Sequence, residues 1–152
     1  MKKSNRYRKN DNFHCMHCHL FVSSDPMIAG VQNRNHCPFC LWSRHVDLSS
    51  AGDRLAVCRG MMKPIGLTLK RTRKKYGLAQ YGELMLIHQC DECGRFSVNR
   101  IAADDDANLL FDIFKTALQL DPKRKAALEA SDIYLLAEKD EEIVRAQLFG
   151  RV

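Results

Sequence analysis

The sequence lacks any apolar run near the ~20 residues needed to cross a bilayer. Its first ten residues, Met1 to Asn10, also contain no apolar stretch of the kind found in a signal peptide. These absences argue against a membrane protein and against export, so we expect a cytoplasmic protein whose thiols stay reduced. Internal repeats and low-complexity segments are absent as well, which excludes a repeat architecture.

The chain also lacks an even number of cysteines. It has seven, so they cannot all pair as disulfides. Six of them form three Cys-x-x-Cys pairs and one stands alone: Cys15/Cys18, Cys37/Cys40, Cys90/Cys93 and Cys58. A tight turn at this spacing lets two thiolates bind one tetrahedral ion, as in structural zinc sites. Redox-active thiols are the alternative, but three such pairs favour zinc.

The number of candidate ligands indicates how many ions to expect. Seven thiolates and one imidazole make eight ligands, enough for two four-coordinate sites. One site would be all cysteine, and the other would combine three cysteines with a histidine. No coordination position is then left for a substrate, so the count predicts two structural zinc ions rather than a catalytic one.

Two partitions of these ligands are compatible with the sequence. The simplest assigns the first zinc to Cys15, Cys18, Cys37 and Cys40, and the second to Cys58, Cys90, Cys93 and a histidine. In the alternative, the first and third pairs share one ion, which leaves the second pair with Cys58 and His45.

The histidine ligand has three candidates, His45, His88 and His36. We prefer His45, which lies five residues beyond the second cysteine pair, and His88 is the runner-up because it shares a strand face with Cys90. His36 directly precedes Cys37, so we expect it to make a hydrogen bond beside the metal rather than to ligate it. Three further histidines surround the first pair and are expected to be partly solvated: His14, His17 and His19.

Short strands are predicted between and before the cysteine pairs, at Leu55–Cys58, Pro64–Lys70 and Leu84–His88. The stretch Arg71–Gly82 contains two glycines and a basic cluster, and it is predicted as a long hairpin loop.

Beyond Asp104 the apolar residues recur every three or four positions, which predicts a helix over roughly 105–119. Asp104 or Asp105 is the predicted cap of this helix. Asp121 followed by proline ends it and starts the next helix. The two remaining helices are predicted at Lys123–Ala130 and Glu138–Phe149.

Together these patterns predict a small α+β protein. Its β-rich core would resemble a zinc ribbon or treble clef with two structural zinc sites, and its C-terminal region would be helical. The predicted domains are a disordered basic arm (1–12), a two-zinc domain with a basic hairpin loop at 70–82 (13–103) and an acidic helical region (104–152).

Positive charge is concentrated in the cysteine-rich part. Residues 1–103 contain 17 Lys and Arg against 7 Asp and Glu, whereas residues 104–152 contain 7 against 11. Two acid-free clusters contribute most of the excess: Lys2, Lys3, Arg6, Arg8 and Lys9, then Lys70, Arg71, Arg73, Lys74 and Lys75. Such clusters are typical of segments that bind nucleic-acid phosphates. Tyr7, Tyr76 and Tyr81 are close in sequence and can stack on unpaired bases.

Three classes of function follow. The first is a non-catalytic zinc protein that binds RNA, with the ribosome as one target, through the basic arm and loop. The second is an adaptor that binds a protein through its acidic helical tail. The third is a zinc-supported nuclease of the HNH type using His36, His45 and Asn99, although the sequence lacks the expected histidine doublet. Neither a membrane nor a small-molecule substrate is expected as a partner.

The stretch Arg34-Asn35-His36-Cys37-Pro38 resembles the signature of the RNHCP-domain family of small bacterial proteins. Further matching stretches run from Trp42 to Asp47, Gly52 to Arg54, Cys58 to Ile65, His88 to Gly94 and Asn99 to Ala102. The resemblance covers about residues 13 to 106 and implies a metal-binding domain without an established activity. The chain departs from the family at His19, where glycine is expected, and around residues 70 to 76, which look like an insertion.

Overall fold

The computed structural model describes residues 12–23, 25–30, 36–44, 58, 60–73 and 79–150. Several predictions fall outside these residues: the basic arm, the ligand His45, the loop residues Lys74 and Lys75, and most of the strand predicted to start at Leu55.

The described residues form the predicted small α+β fold, with a two-stranded antiparallel ribbon and a four-stranded antiparallel sheet. The sheet order is β3-β4-β5-β6. The elements in chain order are β1 (Phe13–His14), β2 (Phe21–Val22), α1 (Pro26–Ala29), β3 (Ser43–Arg44), β4 (Met61–Arg73), β5 (Ala79–Cys90), β6 (Phe96–Arg100), α2 (Ala107–Ala117), α3 (Pro122–Ala130), a 3₁₀ turn (Glu138–Asp140) and α4 (Glu141–Phe149).

The hairpin of β4 and β5 is longer than predicted. Pairing continues past the core to Arg73 opposite Ala79, so residues 70–73 and 79–82 lie in strands. The predicted loop over 70–82 is therefore wrong in its extent. The sequence predicts a loop at Gly82, but this glycine marks a close approach of two strands, because a Cβ there would overlap the backbone carbonyl of Lys70.

Three helices follow the sheet, close to the predicted positions. The cap of α2 is Asp106, whose carboxylate accepts two backbone N–H bonds of the first turn. The prediction of Asp104 or Asp105 is wrong, because the Asp105 side chain is bonded to His36. Asp121 caps α3 where the sequence predicts a helix start. Within the part of the chain that the structure describes, no helix is long and apolar enough to traverse a bilayer.

The main core lies where the helices cover the β4–β5 hairpin, with α2 packed on β4 and α4 packed on α2. Its buried members are Leu41, Leu67, Leu84, Leu86, Leu110, Phe114, Leu136 and Val144. All but two of these lie on strands or helices. The two exceptions are Leu41 and Leu136. Leu41 directly follows the second cysteine pair, so the core reaches the candidate metal region through this residue.

Candidate metal centre

The three Cys-x-x-Cys pairs adopt the same turn, and we call these turns knuckle 1 (15–20), knuckle 2 (37–42) and knuckle 3 (90–95). In each, the N–H of the first cysteine donates to a carbonyl five residues later, at 2.9 Å for Cys15 and Cys37 and 2.8 Å for Cys90. N–H groups within the turn donate to the first sulfur, at 3.4 Å from both His17 and Phe39. Such bonds favour the thiolate form that binds metal.

The residue after the second cysteine of each knuckle has a left-handed backbone. Its φ is 66° at His19, 66° at Leu41 and 76° at Gly94. Its N–H closes the turn onto the carbonyl of the first cysteine, at distances between 2.8 and 3.0 Å. Glycine suits this conformation best, which gives a physical reason for the glycine expected in place of His19. The turn forms there despite the substitution.

Replacing His19 with glycine is expected to stabilise knuckle 1. The left-handed conformation costs a non-glycine residue about 1–2 kcal/mol, and glycine removes this cost. Glycine also has more conformational entropy in the unfolded chain, which reduces the gain in stability by about 0.5–1 kcal/mol. The His19 side chain is exposed, so little packing is lost. The midpoint of thermal unfolding of the zinc-loaded protein should rise by a few degrees. His19→Ala, which retains a Cβ, should show no such rise, and a lower midpoint for His19→Gly would contradict the strain.

The first cysteine cluster joins knuckles 1 and 2. Its four sulfurs all lie within 4.8 Å of one another, and they belong to Cys15, Cys18, Cys37 and Cys40. The Cys15–Cys40 and Cys18–Cys37 sulfurs are 3.5 and 3.6 Å apart. These distances are far longer than a disulfide bond of about 2.05 Å. They are close to the ~3.8 Å edge of a tetrahedron with zinc–sulfur bonds of about 2.3 Å. The cluster therefore has the donor set of a closed tetrahedral site.

The electrostatics of this cluster suit a bound cation. Burial raises the pKa of the Cys37 thiol to about 11, against the opposing effect of N–H donors, and the thiols of Cys18 and Cys15 raise it further. Burial likewise raises the pKa of Cys40. The pKa of the Cys15 thiol is lowered: burial acts to raise it, but backbone N–H donors and neighbouring thiols together outweigh that effect. A divalent ion among the sulfurs would allow all four to be thiolates.

The second cluster joins Cys58 to the two cysteines of knuckle 3, Cys90 and Cys93, again within 4.8 Å. The Cys58–Cys90 sulfur distance is 3.6 Å. Cys90 is buried at the end of β5, whereas Cys58 and Cys93 are exposed. The described residues thus supply three sulfur donors at the surface. The predicted fourth ligand, His45, lies outside the described residues.

Gly60 lies against the second cluster, and sequence reasoning missed it. Its N–H donates to the Cys58 thiol. A Cβ at Gly60 would lie 2.8 Å from the Cys90 sulfur and 2.6 Å from Cγ of Glu92. Only glycine leaves this space for the sulfur. The available signal was the glycine two residues after the isolated cysteine.

The runner-up ligand, His88, is not part of the second cluster. Its ring is fully buried, with Nε2 2.6 Å from the carbonyl oxygen of Leu41 and Nδ1 2.9 Å from the Asn99 amide. Burial, and then the neighbouring His36, lower the pKa of His88 to about 3. The neutral ring therefore donates from Nε2 and accepts at Nδ1, so both nitrogens are bonded. Its strand position places the ring beneath knuckle 2 instead of at the metal.

The hydrogen bond predicted for His36 is present beside the first cysteine cluster. Its Nε2 lies 2.6 Å from Oδ2 of Asp105, and both side chains are almost completely buried. The same oxygen accepts the Ala102 N–H at 2.8 Å. The Pro38 carbonyl accepts the Asp106 N–H at 3.4 Å. Knuckle 2 is thus bonded directly to the turn that begins α2.

Simple sequence arguments also missed a set of rings around the first cluster. The rings of His17 and Trp42 stack at 4.2 Å with only 6° between their planes. His14 meets Phe21 edge to face at 5.6 Å. The available signal was the frequency of aromatic residues and histidines within and beside the first two cysteine pairs.

The predicted phosphate-binding residues are described only in part. Lys70 is exposed on β4, and the backbone of Arg71 and Arg73 continues that strand. The basic residues of the arm, Lys2, Lys3, Arg6, Arg8 and Lys9, lie outside the described residues, as do Lys74 and Lys75.

Comparison with known protein families finds a match to the RNHCP domain over residues 10–111, about two-thirds of the chain. Neither the curated proteins nor the solved structures contain a match. The matched span includes both cysteine clusters and ends within α2.

Proposed function

Because this chain belongs to the RNHCP domain family and brings its cysteines into two clusters that suit metal ions, we propose that it is a non-catalytic protein with two structural zinc ions that binds RNA. Cysteine-only and cysteine–histidine donor sets are those of structural zinc. The two ions would hold the knuckles rigid, and the basic arm and the β4–β5 hairpin would contact phosphates. The ribosome is a candidate target.

The length of the β4–β5 hairpin is the observation that best supports RNA binding. Its last pair of core leucines is Leu69 opposite Leu84, yet its strands stay paired to Arg73 opposite Ala79. The strand residues beyond this pair are mainly polar or basic in type, so apolar burial gives little reason for their pairing. The extension carries the backbone of Lys70, Arg71 and Arg73 to one end of the sheet. A stiff basic projection of this kind is suited to phosphate contacts.

Neutralising the hairpin cluster tests this proposal. Replacing its five basic residues with Gln should weaken RNA binding while leaving the fold intact. These residues are Lys70, Arg71, Arg73, Lys74 and Lys75. Binding to a single-stranded RNA is measured by fluorescence anisotropy at several salt concentrations. The slope of log affinity against log salt should shrink by roughly 0.7 for each phosphate that the variant no longer neutralises. Deleting residues 2–9 should act in the same direction and nearly additively.

The matched control removes the same number of positive charges from the C-terminal region by replacing Lys123, Arg124, Lys125, Lys139 and Arg151 with Gln. It changes the net charge equally but leaves the hairpin untouched, so affinity and slope should change much less. Equal effects of the two variants would indicate general electrostatics without a binding surface. No RNA binding by the wild-type protein would favour the adaptor function instead.

A further inference from the structure

Knuckles 1 and 2 and the adjoining strand β2 present flat rings to solvent around the first cluster. Phe21 and Phe39 are 54% and 56% exposed, and His17 lies on the face of the half-buried Trp42. Rings of this size are usually buried when their only role is stability. We call Phe21, Phe39 and the His17–Trp42 pair the knuckle surface.

Backbone hydrogen bonds to the cysteines anchor three of the four residues that carry these rings. Trp42 accepts the Cys37 N–H at 2.9 Å through its carbonyl and donates its own N–H to the Cys40 sulfur. The N–H groups of Phe39 and His17 donate to the sulfurs of their own knuckles. The first cluster therefore fixes the backbone of Trp42, Phe39 and His17, and strand pairing opposite His14 fixes that of Phe21. Little backbone entropy would be lost when a ligand stacks on the rings.

The charge around the knuckle surface favours a polyanion over an acidic or mixed protein surface. Residues 12–44 contain one acid, Asp25, against two arginines. Of the acids that lie beside knuckle 2 in space, Asp105 is bonded to His36 and Asp106 caps α2. The five basic residues of the arm precede this segment and are separated from it by Asn10 and Asp11. Exposed rings beside positive charge are the combination with which proteins hold single-stranded nucleic acid, since every base has a face that can stack.

We propose that the knuckle surface is a stacking platform for unpaired bases of single-stranded RNA. This inference rests on the proposed RNA binding and deepens it: the arm and hairpin supply phosphate contacts, and the knuckle surface supplies the preference for unpaired strands. Bases would stack on Phe21, on Phe39 and on the outer face of the His17–Trp42 pair. A duplex, whose bases are already stacked, would gain only the phosphate contacts.

Trp42 is the only tryptophan in the chain, so its fluorescence reports on this surface alone. The zinc-loaded protein is titrated with a twelve-residue oligouridine and with an RNA duplex of the same length. We expect oligouridine to quench the Trp42 emission and the duplex to bind without comparable quenching.

Two pairs of substitutions test the rings themselves. Phe21→Ala with Phe39→Ala should weaken oligouridine binding by roughly 25-fold or more, about fivefold for each ring. The salt dependence should not change, because no phosphate contact is removed. Phe21→Leu with Phe39→Leu keeps apolar volume without a ring, and it should also lose affinity even where the alanine pair folds poorly. Phe149→Ala, at an aromatic residue 44% exposed on α4, is the control and should bind normally.

The outcomes separate this inference from the function on which it rests. Salt-dependent binding without quenching, unaffected by either pair of substitutions, would overturn the stacking platform and leave the phosphate-binding function intact. Equal quenching of the Trp42 emission by the duplex and by oligouridine would likewise overturn the stacking platform and leave the phosphate-binding function intact. Failure of the wild-type protein to bind either RNA would overturn both, and the exposed rings would then suit a protein partner.

Discussion

Replacing Cys37 with Ser is expected to remove one of two zinc ions per chain and to unfold most of the protein. Cys37 is fully buried in the first cluster, and its knuckle inserts Leu41 into the main core. A structural zinc site contributes on the order of 10 kcal/mol to folding. This is comparable to the whole stability of a typical domain, about 5–15 kcal/mol, so the loss should exceed what the core can offset.

Metal analysis and circular dichroism measure the two effects. The wild-type protein, purified without added zinc, should contain close to two ions. Cys93→Ser should also lose one ion, but Cys93 is exposed in a surface cluster, so more of the sheet and helices should remain folded. His17→Ala removes a side chain of knuckle 1 that is not a ligand and should keep both ions. A Cys37→Ser protein as stable as His17→Ala would show that the first cluster does not hold a structural metal.

Replacing Leu41 with Ala is expected to be the most damaging change within a knuckle at a residue that is not a candidate ligand. Leu41 is fully buried among the strands and helices of the main core. Truncating a buried leucine costs about 2–5 kcal/mol, because apolar burial is reduced and a cavity remains. The backbone strain at φ 66° is unchanged, since alanine also has a Cβ.

The matched control is His19→Ala, at the equivalent left-handed position of knuckle 1. His19 has the same φ of 66° but is exposed, so its truncation should alter the free energy of unfolding by only about 0.5 kcal/mol. Chemical denaturation of the zinc-loaded proteins compares the two variants. Similar losses of stability would mean that the turn conformation, rather than core insertion, makes the position important.

The predictions that held are those set by local chemistry. Cys-x-x-Cys spacing is sufficient to form a knuckle, because two sulfurs and the enclosed N–H groups lie within one turn. The three C-terminal helices follow from apolar periodicity and from Asp121 with its proline. The predictions that failed depended on what lies opposite in space. Gly82 suggests a loop from sequence, but it is needed because the Lys70 carbonyl lies beside it. Asp105 suggests a helix cap, but its side chain is bonded to His36.

The sequence by itself determined that this protein has cysteine knuckles, a helical C-terminal region and a basic cysteine-rich part, since these depend on residue type and short-range spacing. Only the tertiary structure decided which knuckles share a cluster, because thiolates far apart in the chain meet only when the strands and loops between them are placed. It also decided that His88 supports the Leu41 carbonyl instead of a metal and that rings surround the first cluster. A side chain's partner across the fold is set by packing, and short-range sequence spacing carries no record of it.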